Sequence, residues 1–198
     1  MKAGVRALGI AESYREDTST LAGAVCRASR VVDGFSFGVC TVGGTDATDA
    51  VCTLVEGLDR DDVRYVLVAG IAPAWFNVLD LRAIHARVDR PVLSVTFEES
   101  AGLEAAIREA FEDEATVEAR LETYRAQPDR RPVAVGDATV YVRSVGLASG
   151  PAAEVVRGFT PEGGRPEPVR VARLAARAAD AARRRWVGGA PRGSSEDG

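Results

Sequence analysis

The sequence predicts a mixed α/β fold in which three consecutive antiparallel strands lead into alternating strands and helices. Two patterns carry this reading. The first 42 residues hold three β-prone runs joined by short polar links, and the chain then alternates helix-period apolar spacing with short continuous apolar runs. Composition supplies a third observation. Of 198 residues, 46% are hydrophobic and 27% charged, a globular balance that excludes disorder for most of the chain.

The β-prone runs are residues 5–13, 21–28 and 31–42, with a polar turn over 13–19. Ser29-Arg30 and Asp33-Gly34 suggest hairpin connections. Ala47, Ala50, Val51, Leu54 and Leu58 then recur at helical spacing, and Thr45 or Asp46 can cap that helix because a short side-chain oxygen accepts free N–H groups of a first turn. Residues 65–68 and 91–96 are apolar runs that suit strands covered on both faces. Residues 75–88 between them read as helix, after a break at 70–73. Helices follow over 101–111 and 115–124, and Gly136-Asp137 turns a hairpin between 133–135 and 139–145. A helix over 150–159, a Pro/Gly-rich linker over 160–166 and a long helix over 168–186 complete the order, with Pro168 suited to a first turn.

Three antiparallel strands feeding two right-handed βα units give a mixed five-stranded sheet with flanking helices and an extra C-terminal hairpin and helix. This is the ribonuclease-H-like arrangement, with the first strand beside the fourth near the sheet centre. The sequence leaves open whether the hairpin extends the sheet or covers the cleft. The expected organisation is one domain over residues 1–187 with a disordered polar tail over 188–198.

Composition narrows the function classes. No apolar run approaches the roughly 18–20 residues needed to cross a bilayer, and residues 1–10 do not read as a signal peptide, so a cytoplasmic protein is expected. Cys26, Cys40 and Cys52 are an odd number at wide spacing, which reads as buried thiols rather than a disulfide framework. With His85 the only histidine, a structural zinc site lacks ligands. Net charge is −4 but unevenly spread: residues 165–192 carry eight arginines against Glu167 and Asp180. Arg170, Arg173, Arg177 and Arg184 fall within roughly 80° of one helix face, where arginine forks suit phosphate oxygens. Val171, Leu174, Ala175, Ala178, Ala182 and Trp186 form another face, expected to dock on the sheet. A solvated arginine face is the alternative.

Three segments follow strand ends and should open on one sheet edge: residues 9–14, 42–48 and 69–80. They bring Glu12, Asp46 and Asp80 as candidate metal-binding and catalytic carboxylates and Asn77 as a further candidate catalytic residue. Carboxylates meeting there could hold Mg²⁺ or Mn²⁺ through oxygen ligands, activating water for phosphodiester displacement. Each candidate has a structural alternative. Glu12 suits a solvated strand end, Asp46 and Asn77 suit helix caps, and Asp80 suits the positive end of a helix. Trp75 and Phe76 suit packing as well as base stacking, and His85 suits a partly buried helix position.

Taken together, Gly9-Ile10, Thr45-Asp46-Ala47-Thr48, and Gly70-Ile71 followed by Trp75-Phe76-Asn77-Val78-Leu79-Asp80 resemble the signature of an archaeal endonuclease-V-like family, endonuclease dU (UPF0215). The similarity covers roughly residues 5–186. It implies a ribonuclease-H-like fold and Mg²⁺- or Mn²⁺-dependent cleavage of DNA near deaminated bases such as deoxyuridine. Two positions depart from the family pattern. Where the family has Gly-Ile-Asp-Asp, this chain has Gly9-Ile10-Ala11-Glu12, and where it has Leu-Asp-Gly-Ile, this chain has Val68-Ala69-Gly70-Ile71. Alanine cannot coordinate a cation. The alternatives carried forward are therefore a catalytically inactive nucleic-acid-binding relative and a protein-interaction scaffold.

Overall fold

The computed structural model describes residues 1–188. The tail expected over 188–198 lies outside the described residues, apart from Gly188, which closes the last helix. Seven strands form one sheet: β1 (Arg6–Arg15), β2 (Thr18–Arg27), β3 (Val32–Thr41), β4 (Val63–Ala69), β5 (Val92–Thr96), β6 (Arg131–Val135) and β7 (Ala138–Val145). Their order is β3-β2-β1-β4-β5-β7-β6. The hairpin therefore extends the expected five strands to seven by pairing β7 antiparallel to β5. As expected, β1 lies beside β4, and β1, β4 and β5 run parallel. This mixed sheet with helices on its faces is the ribonuclease-H-like fold.

The helices are α1 (Ala47–Glu56), α2 (Pro73–Phe76), α3 (Leu81–Val88), α4 (Glu104–Ala110), α5 (Glu114–Arg125), α6 (Ser149–Gly158) and α7 (Glu167–Gly188). One sheet face buries Leu8, Ile10, Val66 and Val68 against Val51, Leu54 and Ile84 of α1 and α3. The other buries Ala7, Leu67, Leu93 and Val95 against Val155 and Val156 of α6, Phe159 just after it and Val169 of α7. Period-2 alternation sends neighbouring strand residues to opposite layers. Cys26, Cys40 and Cys52 are free and buried, as expected.

Two elements differ from expectation. The helix expected over 75–88 begins only at Leu81. Before it, Ala74, Trp75 and Phe76 have φ of +49°, +58° and +57°. They form a single left-handed turn closed by the Asn77 N–H donating to the Pro73 carbonyl at 3.0 Å. Apolar spacing reports which residues are covered, not the hand of the backbone, so the pattern misled. The second difference concerns α7. It docks through Val169, Ala172, Ala176 and Asp180, whereas Leu174, Ala178 and Trp186 of the expected docking face are exposed. Small residues face the sheet because α7 lies close to it. A Cβ on Gly9 of β1 would come within 2.1 Å of the Pro168 carbonyl carbon, so only glycine admits the helix there.

Candidate nucleic-acid interface

β1, β3 and β4 all deliver their C-terminal ends to one sheet edge, so the three segments that follow them meet there, as their order predicted. The centre of the meeting is Asn77. Its side chain is fully buried and every polar atom is used. Its Nδ2 donates to the Thr41 carbonyl at 2.9 Å and to Asp46 Oδ1 at 2.7 Å. Its Oδ1 accepts the Ala47 N–H at 3.0 Å and so caps α1 from thirty residues away in sequence. Asp46 occupies the N-cap position of α1 yet makes no side-chain cap bond. Its carboxylate instead accepts the Thr41 N–H at 3.0 Å and the Thr41 hydroxyl at 2.8 Å. Burial pushes the Asp46 carboxyl up, but these hydrogen bonds outweigh it and hold the group below the usual carboxylate range. Gly44 has to be glycine here, because a Cβ would meet the Thr41 Cβ at 2.7 Å.

Glu12 ties the first segment to the third. Its Oε1 accepts the Ala74 N–H at 2.9 Å, and its Oε2 accepts the Ser19 hydroxyl. Glu12 and Asp46 flank the same buried thiol. Burial, and then the charges of Asp46 and Glu12, push Cys40 up to about 12. Asp80 is placed differently. It is the N-cap of α3, with Oδ1 accepting the N–H groups of Arg82 at 2.9 Å and Ala83 at 3.1 Å. Arg120, which sequence reasoning did not single out, clamps the second and third segments together. It is buried without a carboxylate, donating to the Gly43, Gly44 and Phe76 carbonyls while stacking 4.1 Å over Phe111. Burial lowers its pKa.

As a set, these acids do not fit a divalent cation. Asp80 is committed to α3, and each oxygen of Glu12 and Asp46 already accepts from a protein donor. Among the described residues no three acidic, histidine or cysteine groups gather closely enough for an ion. Ala11 and Ala69 are packed with Ala24, Cys26, Val171 and Ala172 beneath α7.

Beside this apolar floor lies a chamber of about 440 Å³ at the ends of β4 and β5. That volume falls within the range of about 300–1,000 Å³ usual for ligand pockets. Gly70, Ile71 and Phe76 line one side, and Ser94, Thr96, Tyr124 and Tyr141 another. Four arginines reach it: Arg130, Arg143, Arg165 and Arg173, against one lining carboxylate, Glu98. Three of them stack on aromatic rings, Arg130 over Tyr141 at 4.2 Å, Arg165 over Phe97 at 4.1 Å and Arg143 over Tyr124 at 5.1 Å. Stacking holds each guanidinium flat, and Arg130 and Arg143 are fixed further by donating to the Ser100 hydroxyl and Glu98 carbonyl and to the Pro128 carbonyl and Tyr124 hydroxyl. Of the arginine stripe on α7, only Arg173 lines the chamber. Arg170 pairs with Glu167 at 2.6 Å, Arg184 pairs with Asp180 at 3.3 Å, and Arg177 is exposed. Beside segment 69–80 and Arg173, the alternation of Tyr141, Val142 and Arg143 in β7 is a further sequence signal that points to the chamber, since it places Tyr141 and Arg143 on one strand face.

The family model described as Endonuclease dU matches residues 3–180. The chain belongs to the endonuclease dU family. Its relatives include a UPF0215 protein of Pyrobaculum aerophilum, 35% identical, covering 87% of this chain and 92% of the relative. A UPF0215 protein of Thermococcus gammatolerans is 34% identical and covers 80% of each. Among solved structures, a protein of unknown function from Archaeoglobus fulgidus shares 26% identity at a TM-score of 0.77, covering 88% of this chain and 97% of that one. Endonuclease V from Ciona intestinalis, solved with inosine-containing DNA, has a TM-score of 0.57 at 11% identity, covering 89% and 86%. Human endonuclease V has a TM-score of 0.58 at 15% identity, covering 90% and 85%. At these identities the endonuclease V likeness establishes the fold. Among the described residues of this endonuclease dU family member, no helix is long and apolar enough to cross a membrane.

Proposed function

We propose that this endonuclease dU family member is a nucleic-acid-binding protein that seats a single nucleobase, extruded from its strand, in the arginine-lined chamber. The observation that carries this reading is the pairing of that chamber with an alanine floor, Ala69 lining it and Ala11 packed beside it under α7. The chamber supplies aromatic walls for a base and cationic groups for phosphate, while the floor offers no ligand for an ion. Tyr124, Tyr141 and Phe76 sandwich a base, Ser94 and Thr96 offer hydroxyls to its edge, and Arg130, Arg165 and Arg173 take the flanking phosphates. Extrusion costs least for a weakly paired base, which makes deoxyuridine or another deaminated base the favoured guest.

A second reading, divalent-metal-dependent phosphodiester cleavage near deaminated bases, is favoured by family membership and by the ionised Asp46 at the sheet edge. One pair of assays separates the two. Duplex and single-stranded DNA with and without deoxyuridine is tested for nicking with Mg²⁺ and with Mn²⁺, and in parallel for binding by fluorescence anisotropy. The expected result is salt-sensitive binding, weakened by Arg165→Ala and Arg173→Ala, without nicking. Metal-dependent nicking that is abolished by Asp46→Ala would replace this reading with the second.

A further inference from the structure

The two edges of the sheet are built differently. β6 is five residues long and guarded, because Arg131 and Pro132 open it and proline offers no N–H for a further strand. β3 is ten residues long and carries no charge or proline from Gly34 to Thr41. Its outward row is apolar, with Phe35, Phe37 and Val39 exposed by 48%, 56% and 53%. These residues lie opposite Ala24, Ala22 and Thr20 of β2, on the face that α7 covers mainly over β1 and β2. The Phe35 and Phe37 rings stack at 6.3 Å.

The main chain says which groups are free. The Val42 N–H turns inward to the Asp17 carbonyl, and the neighbouring Thr41 N–H turns outward to Asp46. Residues of one parity with Thr41 therefore point their N–H and C=O groups away from β2. The Thr41 groups are taken by Asp46 and Asn77. Among the described residues nothing takes the N–H and C=O groups of Phe35, Phe37 and Val39, which leaves three donors and three acceptors in a row.

We infer that β3 is the pairing edge of a homodimer, in which a second copy adds its own β3 antiparallel about a two-fold axis at Phe37. This register sets Phe37 opposite its symmetry mate and Phe35 opposite the mate's Val39. All six free groups are satisfied, and the two aromatic rows fuse into one apolar strip. From Gly34 to Cys40 the strand is uncharged, so the paired stretch of two copies of an acidic chain brings no like charges together. Pairing ends where Asp46 and Asn77 occupy Thr41, so the dimer edge abuts the segment that frames the chamber.

Sedimentation velocity of the full chain from low to high micromolar concentration tests the association, and cysteine cross-linking tests the register. The expected result is a concentration-dependent dimer, with a dissociation constant raised at least about tenfold by Phe37→Lys, equivalent to about 1.4 kcal/mol. Circular dichroism verifies that the variant is folded. In a hydrogen-bonded antiparallel pair the Cα atoms are about 5.5 Å apart, within disulfide reach. Under mild oxidation Phe37→Cys therefore links to itself, Phe35→Cys alone does not, and Phe35→Cys mixed with Val39→Cys does. A monomer throughout, a dimer indifferent to Phe37→Lys, or the opposite cross-linking pattern overturns the inference. So does open-ended association in place of a dimer, or capture of a different protein by a chain that stays monomeric alone.

Discussion

Asn77 was marked in the sequence as a candidate for chemistry, and the structure employs it as a knot. Its amide satisfies the first turn of α1, the end of β3 and Asp46 together. Asn77→Ala leaves the buried Ala47 N–H without its partner and takes one donor each from Asp46 and the Thr41 carbonyl, and an expected loss of about 1–3 kcal/mol follows, measurable by urea denaturation. Asp46 adds a pH dependence with a definite sign. Its folded pKa is depressed, so its contribution is complete above the unfolded value and is lost as pH falls through the folded one. Stability of the wild type and of Asp46→Asn should differ by a constant amount from neutrality down to about pH 5, and the difference should shrink progressively below it. Asp33, held at about 2 by Arg27 and Arg6, keeps its own contribution until still lower pH in both proteins. Local sequence placed Asp46 and Asn77 near helix starts. It could not reveal that the cap of α1 comes from a residue thirty positions later, because propensity sees only neighbours.

At the scale of elements, two features define the edge. The first is the contact of α7 with β1 at Gly9. Gly9→Ala places a methyl inside the Pro168 backbone, so α7 must lift. We expect a loss of about 4 kcal/mol or more, accompanied by faster proteolysis at the 160–166 linker. The second is the left-handed turn at Ala74, Trp75 and Phe76, a conformation that costs ordinary residues about 1–2 kcal/mol each. It is held by the bond from Ala74 N–H to Glu12 and by that from Gly43 N–H to the Ala74 carbonyl at 2.7 Å. Trp75 is half exposed, so Trp75→Gly should leave stability unchanged or raise it by up to about 1 kcal/mol, as read from the thermal midpoint. The strands were legible because the alternating and continuous apolar runs fix them with little ambiguity. The turn was not, since its strain is sustained by partners from two other segments.

For the molecule as a whole, charge is the informative quantity. The chain is net acidic, yet its chamber gathers arginines from the loop after α5, from β7, from the 160–166 linker and from α7. Binding to nucleic acid should weaken with salt, and each of Arg165→Ala and Arg173→Ala should lower the slope of log K against log salt by about 1. Arg170→Ala should change it far less, because Glu167 already neutralises Arg170. The arginine excess near the C-terminus was visible in composition. Its partition between the chamber and internal pairing was not, because that depends on which flank of α7 meets the sheet.

The bed of small side chains formed by Ala11, Ala24, Ala69 and Ala172 treats its two strand-end alanines unequally. An aspartate introduced at 11 would enter a space the last helix has settled onto and forfeit its hydration there. One introduced at 69 would instead meet the guanidinium groups of the chamber that Ala69 lines. Acidity at the first position therefore requires the helix to retreat, and at the second it does not.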